Sequence, residues 1–122
     1  MQTILVVEDE FGEAESLVSI LVEEGFLATV ARDGRQGLQR FHDSMPDLLL
    51  VDFMMPLMNG AEMIREIRMD GVHRGVPIVL MSAAHEHILR RYYAGYDAYL
   101  KKPFTKEELL SLLQKLLPGP KP

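Results

Sequence analysis

Leu48-Leu49-Leu50-Val51-Asp52, with the loop Phe53-Met54-Met55-Pro56-Leu57-Met58-Asn59-Gly60 behind it, is the stretch from which the fold can be read. Four apolar residues without polar alternation describe a strand buried on both faces, and such strands belong in the middle of a parallel sheet. The carboxyl ends of parallel strands are where open α/β sheets bind their ligands, so Asp52 is aimed at that edge. An isolated acid at a strand end can equally cap a turn. Asp52 is not isolated.

A second apolar run, Ile4-Leu5-Val6-Val7, is followed by Glu8-Asp9-Glu10, which brings further carboxylates to the same edge. Three acids converging there invite a cation. Oxygen ligands without cysteine favour a hard ion, and Mg²⁺ uses one or two carboxylates, several waters and a substrate phosphate. The alternative is that these acids only favour the N-terminus of the next helix through its dipole. Two later strand ends add Ser82, after Val76-Pro77-Ile78-Val79-Leu80-Met81, and Lys102, after Tyr99-Leu100-Lys101. Singly, Ser82 reads as a helix cap and Lys102 as a surface charge. Together with the acids they complement a phosphoryl group on Asp52: its anionic oxygens would meet a metal, a hydroxyl donor and a fixed ammonium.

Between and beyond these runs the chain alternates short apolar and amphipathic segments, the pattern of βα units. Strands are expected at Thr3 to Val7, Ala28 to Ala31, Leu48 to Asp52, Pro77 to Ser82 and Asp97 to Lys101. Helices are expected near Phe11 to Glu24, Arg35 to Phe41, Ala61 to Met69, Glu86 to Ala94 and Thr105 to Leu117. Asp33 can cap the second helix, Gly25 and Gly95 can end the first and fourth, and Thr105 with Glu108 makes a capping box. The 122 residues carry a net charge of −5, enough chain for one core. We therefore expect one domain over residues 1–117, with 118–122 (Pro-Gly-Pro-Lys-Pro) a disordered tail or the start of a linker. With no apolar stretch near the roughly 20 residues of a membrane helix and no signal peptide, the cytoplasm is the expected location. No cysteine is present, and His42, His73, His85 and His87 lack zinc spacing; on a helix, His85 and His87 would diverge into solvent.

At this point the residues resemble the receiver domain of bacterial two-component response regulators, of the chemotaxis-regulator type, over nearly the whole chain. Val6-Val7-Glu8-Asp9-Glu10 looks like that family's acidic pocket, and Asp52 with Met55-Pro56 and Asn59-Gly60 like its phosphoacceptor loop. Ser82-Ala83 is similar to its hydroxyl position and Lys102-Pro103-Phe104 to its lysine motif. The resemblance implies a (βα)5 flavodoxin-like α/β fold with strand order 2-1-3-4-5. It implies Mg²⁺ held by Glu8, Asp9, Asp52 and the Met54 carbonyl, with Asp52 as nucleophile toward a phosphohistidine. The donor would be a sensor histidine kinase or a histidine phosphotransfer protein. It further implies a cis Lys102-Pro103 bond that aims the lysine, and a switch in which Ser82 is drawn to the phosphoryl while Tyr99 turns inward.

Three departures from the common family pattern shape the expectations. Glu8 stands where many receivers have Asp. Met54 and Ala84 cannot orient an attacking water, from which slow hydrolysis of the acyl phosphate is expected. Ser82 and Tyr99 are 17 positions apart, so the fourth helix should be short or displaced. That helix carries Arg90-Arg91 and Tyr92-Tyr93, residue types enriched at interface hot spots, and Arg90, Arg91 and Tyr99 are the candidate contacts to a downstream protein or output domain. Alternatively, Ile88, Leu89 and Tyr92 only pack on the sheet. Residues 1–31 hold seven acids and no Lys or Arg, while 85–106 hold five bases and two acids, so the output half suits an acidic partner. Direct nucleic-acid binding is not expected of so few clustered bases. Three other classes compete: a flavodoxin-like cofactor binder, opposed by acids where a phosphate loop is needed; a phosphatase on external substrates, which lacks a second acid-base residue; and a degenerate receiver acting as a phosphorylation-independent scaffold. The oligomeric state is not fixed by the sequence.

Overall fold

The computed structural model describes residues 1–71, 75–91 and 93–118. His73, Tyr92 and most of the expected tail lie outside the described residues. Five strands, β1 (Thr3–Val7), β2 (Leu27–Ala31), β3 (Leu48–Asp52), β4 (Ile78–Ser82) and β5 (Ala98–Lys101), form one sheet in the order β2-β1-β3-β4-β5. Every pairing is parallel. The helices are α1 (Phe11–Glu23), α2 (Gly34–Ser44), α3 (Gly60–Asp70), α4 (Glu86–Leu89) and α5 (Lys106–Leu116).

All five residues of β3 and of β4 are buried, as the unbroken apolar runs require. Their side chains alternate between two layers. Leu5, Leu49, Val51, Ile78 and Leu80 pack with Phe41, Met63, Ile64 and Ile67 from α2 and α3. Ile4, Val6, Leu48, Leu50, Val79 and Met81 pack with Leu17 and Leu21 of α1 and Leu109 and Leu113 of α5. Burial of each such side chain contributes on the order of 2 kcal/mol, so the sheet edge carrying Asp52 rests on the best-packed part of the molecule.

Local chemistry explains most boundaries. β4 starts one residue later than expected, at Ile78, because Pro77 has no N–H; its carbonyl still accepts from Leu49 N at 3.0 Å. The α2 helix runs past Phe41 through a polar turn to Ser44 and ends at Met45, whose φ is 45°. Asp33 caps α2 and Thr105 with Glu108 boxes α5, as expected. The α3 helix has the same device in Asn59 and Glu62, whose spacing is that of a capping box. Gly25, at φ 93°, follows the end of α1.

The fourth helix is the main correction. It was expected over Glu86 to Ala94 and ends at Leu89, a single turn, in keeping with the shortened spacing. His85 at its N-cap gives no side-chain hydrogen bond to the helix, and the chain must return at once to β5, where Tyr96 is buried and Asp97 N donates to Ile78 O at 2.8 Å. Gly95 therefore does not end this helix. A Cβ there would collide with the Tyr93 ring, which itself packs under the Arg65 guanidinium, 4.9 Å from the ring centroid. His85 and His87 are exposed as expected, but their rings stack at 5.8 Å instead of diverging, because His85 is extended and outside the helix.

Candidate functional site

The register brings the expected residues to one edge. Val7 lies beside Val51, Asp52 beside Met81 and Ser82 beside Lys101, so the residues that follow β1, β3, β4 and β5 converge. Glu8 extends β1 by donating its N–H to Ala31 O at 3.0 Å. After Asp52 the chain folds back tightly: Gly60 N donates to Phe53 O at 2.9 Å, and a Cβ on Gly60 would lie 2.5 Å from the Asp52 carbonyl oxygen. Glycine is required there by close approach. Within the loop, Met58 N reaches Pro56 O at 2.7 Å across a γ-turn whose central residue, Leu57, has φ 69°.

Glu8 and Asp52 are buried, at 1% and 5% exposure, while Asp9 is open to solvent. One carboxylate oxygen from each of the three lies within 4.8 Å of the others. The Lys102 ammonium sits against them, 2.8 Å from Glu8 Oε1 and 2.9 Å from Asp52 Oδ1, and 3.0 Å from Glu13 Oε1 on α1. Burial pushes the Glu8 carboxyl up to about 7; the Lys102 hydrogen bond opposes this and the Asp52 charge adds to it. The Asp52 carboxyl is also raised, by burial first, against the pull of Lys102 and with help from Asp9 and Glu13. Burial lowers Lys102, but its bonds to Glu8, Asp52 and Glu13 outweigh that, so it lies above the ordinary lysine range and stays charged.

This donor set suits a hard divalent cation. It is all oxygen, two of its acids are buried around a single ammonium, and the exposed Asp9 leaves one side open for water or a phosphoryl oxygen. The acids open into a cleft of about 1070 Å³ that Glu13, Met54 and Lys102 also line. The Met54 side chain is 70% exposed there. The acidic triplet divides its residues: Glu10 caps α1 by accepting from Gly12 N and Glu13 N, whereas Glu8 and Asp9 cluster with Asp52.

Ser82 is buried, and its Oγ accepts from Ala84 N at 3.1 Å. Tyr99 is half-buried and already points inward, its hydroxyl donating to the Ala84 carbonyl. The peptide groups of Ala84 are thus held from both sides by the two expected switch residues. The Lys102-Pro103 bond is cis. Arg90 and Arg91 are exposed at the end of α4 and do not line the cleft; Arg90 Nη2 lies 3.5 Å from Glu86 Oε2.

Two residues with evident roles were missed. Glu13 reaches Lys102 because the third residue of a helix points its side chain back over the first turn, a spacing visible in Glu10-Phe11-Gly12-Glu13. Tyr96, buried, donates to Glu86 Oε2 at 2.9 Å and packs 5.9 Å from the Tyr99 ring. Its cue was an aromatic residue just outside a strand that already held Tyr99.

A doubly wound five-stranded parallel sheet with acids, a hydroxyl and a lysine gathered at its carboxyl edge defines a flavodoxin-like α/β module with a polar ligand edge. The family model of the response regulator receiver domain matches residues 4–114, and the chain belongs to that family, the regulatory phosphoacceptor domains of two-component systems. It is 39% identical over 118 residues to the DNA-binding response regulator MtrA of Mycobacterium tuberculosis, covering 95% of this chain and 50% of that protein. The chain spans about half the length of the curated relatives it matches. Among solved structures it resembles chemotaxis protein CheY4 of Vibrio cholerae, with a TM-score of 0.89 and 28% identity over 96% of this chain and 99% of that one. Response regulator TrrA of Thermotoga maritima, solved in complex with Mg²⁺-BeF, is 34% identical with a TM-score of 0.86, covering 96% of this chain and 100% of that one. Among the described residues no helix is long and apolar enough to cross a membrane.

Proposed function

We propose that this receiver domain is a phosphorylation-activated switch in which Asp52 takes a phosphoryl group from a phosphohistidine of a sensor histidine kinase or histidine phosphotransfer protein. The observation that carries the reading is the placement of Asp52: buried at the end of β3, 2.9 Å from the Lys102 ammonium, and clustered with Glu8 and Asp9. An Asp52 carboxylate oxygen attacks phosphorus as the P–N bond to the donor imidazole breaks, and the electron pair leaves with the imidazole. Lys102 turns one of its donors from Asp52 to a phosphoryl oxygen. Glu8, Asp9, Asp52 and the Met54 carbonyl would hold Mg²⁺, which when bound neutralises charge on the phosphoryl oxygens. That a relative was solved with Mg²⁺-BeF supports the choice of ion.

The response runs through Ala84. When the Ser82 hydroxyl turns to donate to the phosphoryl, the Ala84 N–H loses its acceptor, and the Tyr99 bond to the Ala84 carbonyl ties that rearrangement to β5. Phosphorylation then biases populations of the α4–β5–α5 face, because the phosphoryl contacts exist in only one state. Arg90, Arg91 and Tyr99 on that face would meet a downstream protein or output domain. The DNA binding named for MtrA belongs to a protein twice this length, and for these residues we propose no nucleic-acid contact. The domain would promote only its own phosphorylation and dephosphorylation, and it would act in the cytoplasm, where its donors are.

Intact mass after incubation with acetyl phosphate tests the reading. A gain of one phosphoryl mass that requires both Mg²⁺ and Asp52, and is absent in Asp52→Asn, is expected. No gain from acetyl phosphate or from a phosphorylated kinase would favour the phosphorylation-independent scaffold instead.

A further inference from the structure

The Lys102 ammonium lies against three carboxylates, hydrogen-bonded to Glu8 at 2.8 Å and Glu13 at 3.0 Å and ion-paired with Asp52 at 2.9 Å. Glu8 and Asp52 belong to the three-acid cluster, and Glu13 does not. Its side chain is half exposed on α1, against 16% for Lys102, so it approaches the ammonium from the mouth of the cleft. Two of the three carboxyl groups that would bind a cation, Glu8 and Asp52, are therefore ones the lysine also grips, and Glu13 is the partner, among the described residues, that draws the lysine toward the rim.

We propose that Glu13 is a positioning residue for cation binding: by holding one donor of Lys102 on the α1 side, it limits the lysine's competition for Glu8 and Asp52. The proposal rests on the reading of the acidic cluster as a Mg²⁺ site. With Glu13 neutralised, the freed ammonium leans further on Glu8 and Asp52, and an incoming cation must displace a more tightly held rival charge. Loss of one negative charge from the cleft acts in the same direction, though solvent and salt screen that part because Glu13 is half exposed. Glu15, exposed on the same helix and without a described bond to Lys102, gives a control of equal charge.

The experiment is calorimetric titration of Mg²⁺ into the full chain, its Glu13→Gln and Glu15→Gln variants, and both changes repeated in a Lys102→Gln background. The expected result is a Kd raised about threefold to tenfold by Glu13→Gln, near the low end for residues that act on a metal site through another side chain. Glu15→Gln should leave Kd nearly unchanged, and in the Lys102→Gln background the Glu13 effect should shrink to that of Glu15. Equal Kd values for the unaltered chain and Glu13→Gln would overturn the inference while leaving the Mg²⁺ site standing. An undiminished Glu13 effect without Lys102 would overturn it too, because Glu13 would then act by its own field. Failure of the unaltered chain to bind Mg²⁺ would remove the site and the inference together.

Discussion

The edge formed by β1 and β3 and the segment from α4 to β5 are built on opposite terms. The first places Glu8 and Asp52 on strands with no exposed residue between Ile4 and Val7 or between Leu48 and Val51. The second starts from a single helical turn, α4, whose one buried residue is Leu89, and individual hydrogen bonds from Tyr96 to Glu86 and from Tyr99 to Ala84 hold it. A site that holds charged groups in fixed positions gains from a dense core beneath it, while under the proposed switch a segment that responds to a new set of contacts cannot be tied down by many. Ala84, with Ser82 on its N–H and Tyr99 on its carbonyl, is hydrogen-bonded to both and would be the joint of the proposed switch.

Four expected outcomes sharpen or break this contrast. Lys102→Ala leaves Glu8 and Asp52 buried without their cation and should cost about 3 kcal/mol in urea unfolding at pH 8. The loss should be smaller at pH 5. Glu8 binds its proton more tightly in the folded chain, at about 7, than at its ordinary value of 4.5. Its stabilising contribution is therefore full below about 4.5 and disappears as pH rises through about 7. An equal cost at both pH values would mean the lysine's role is not to balance buried acids.

The same proton opposes a cation. Below about pH 7, Mg²⁺ must displace it, so affinity should weaken by up to about tenfold per pH unit as pH falls, read by titration at several pH values. A flat profile would remove Glu8 from the ligand set. Next in size is turnover of the acyl phosphate. Met54→Gln puts a polar group at the cleft mouth able to orient water and should speed its loss about tenfold, followed by mass spectrometry. No change would mean hydrolysis is limited elsewhere. The smallest effect tests the second region: Tyr96→Phe removes the bond to Glu86 and should cost about 1 kcal/mol, visible as faster amide exchange in residues 86–91. If it destabilised the β1–β3 edge equally, the two regions would not be separable.

The contrast also explains what could be read in advance. The ends of β1 and β3 were legible to the residue, because unbroken apolar runs stop where an acid begins. Asp33, Thr105 and Glu108 announced their helices through local capping chemistry. The course of α4 was not legible beyond its being short. In the sequence Ile88, Leu89 and Tyr92 have helical spacing, yet the chain turns away after Leu89 because Tyr96 and Asp97 are engaged with Glu86, Ile78 and Arg68, partners that the tertiary structure brings near. Glu13 was overlooked for a related reason: its partner lies 89 residues along the chain.

The most direct test of the account is peptide-resolved hydrogen exchange on the chain treated with acetyl phosphate and Mg²⁺, beside Asp52→Asn treated identically. We expect altered exchange in peptides covering residues 83–91 and 96–101, with β1 and the body of β3 unchanged, and no alteration in Asp52→Asn. Phosphorylated chain whose 83–101 peptides exchange as before, or an equal change in Asp52→Asn, would contradict it.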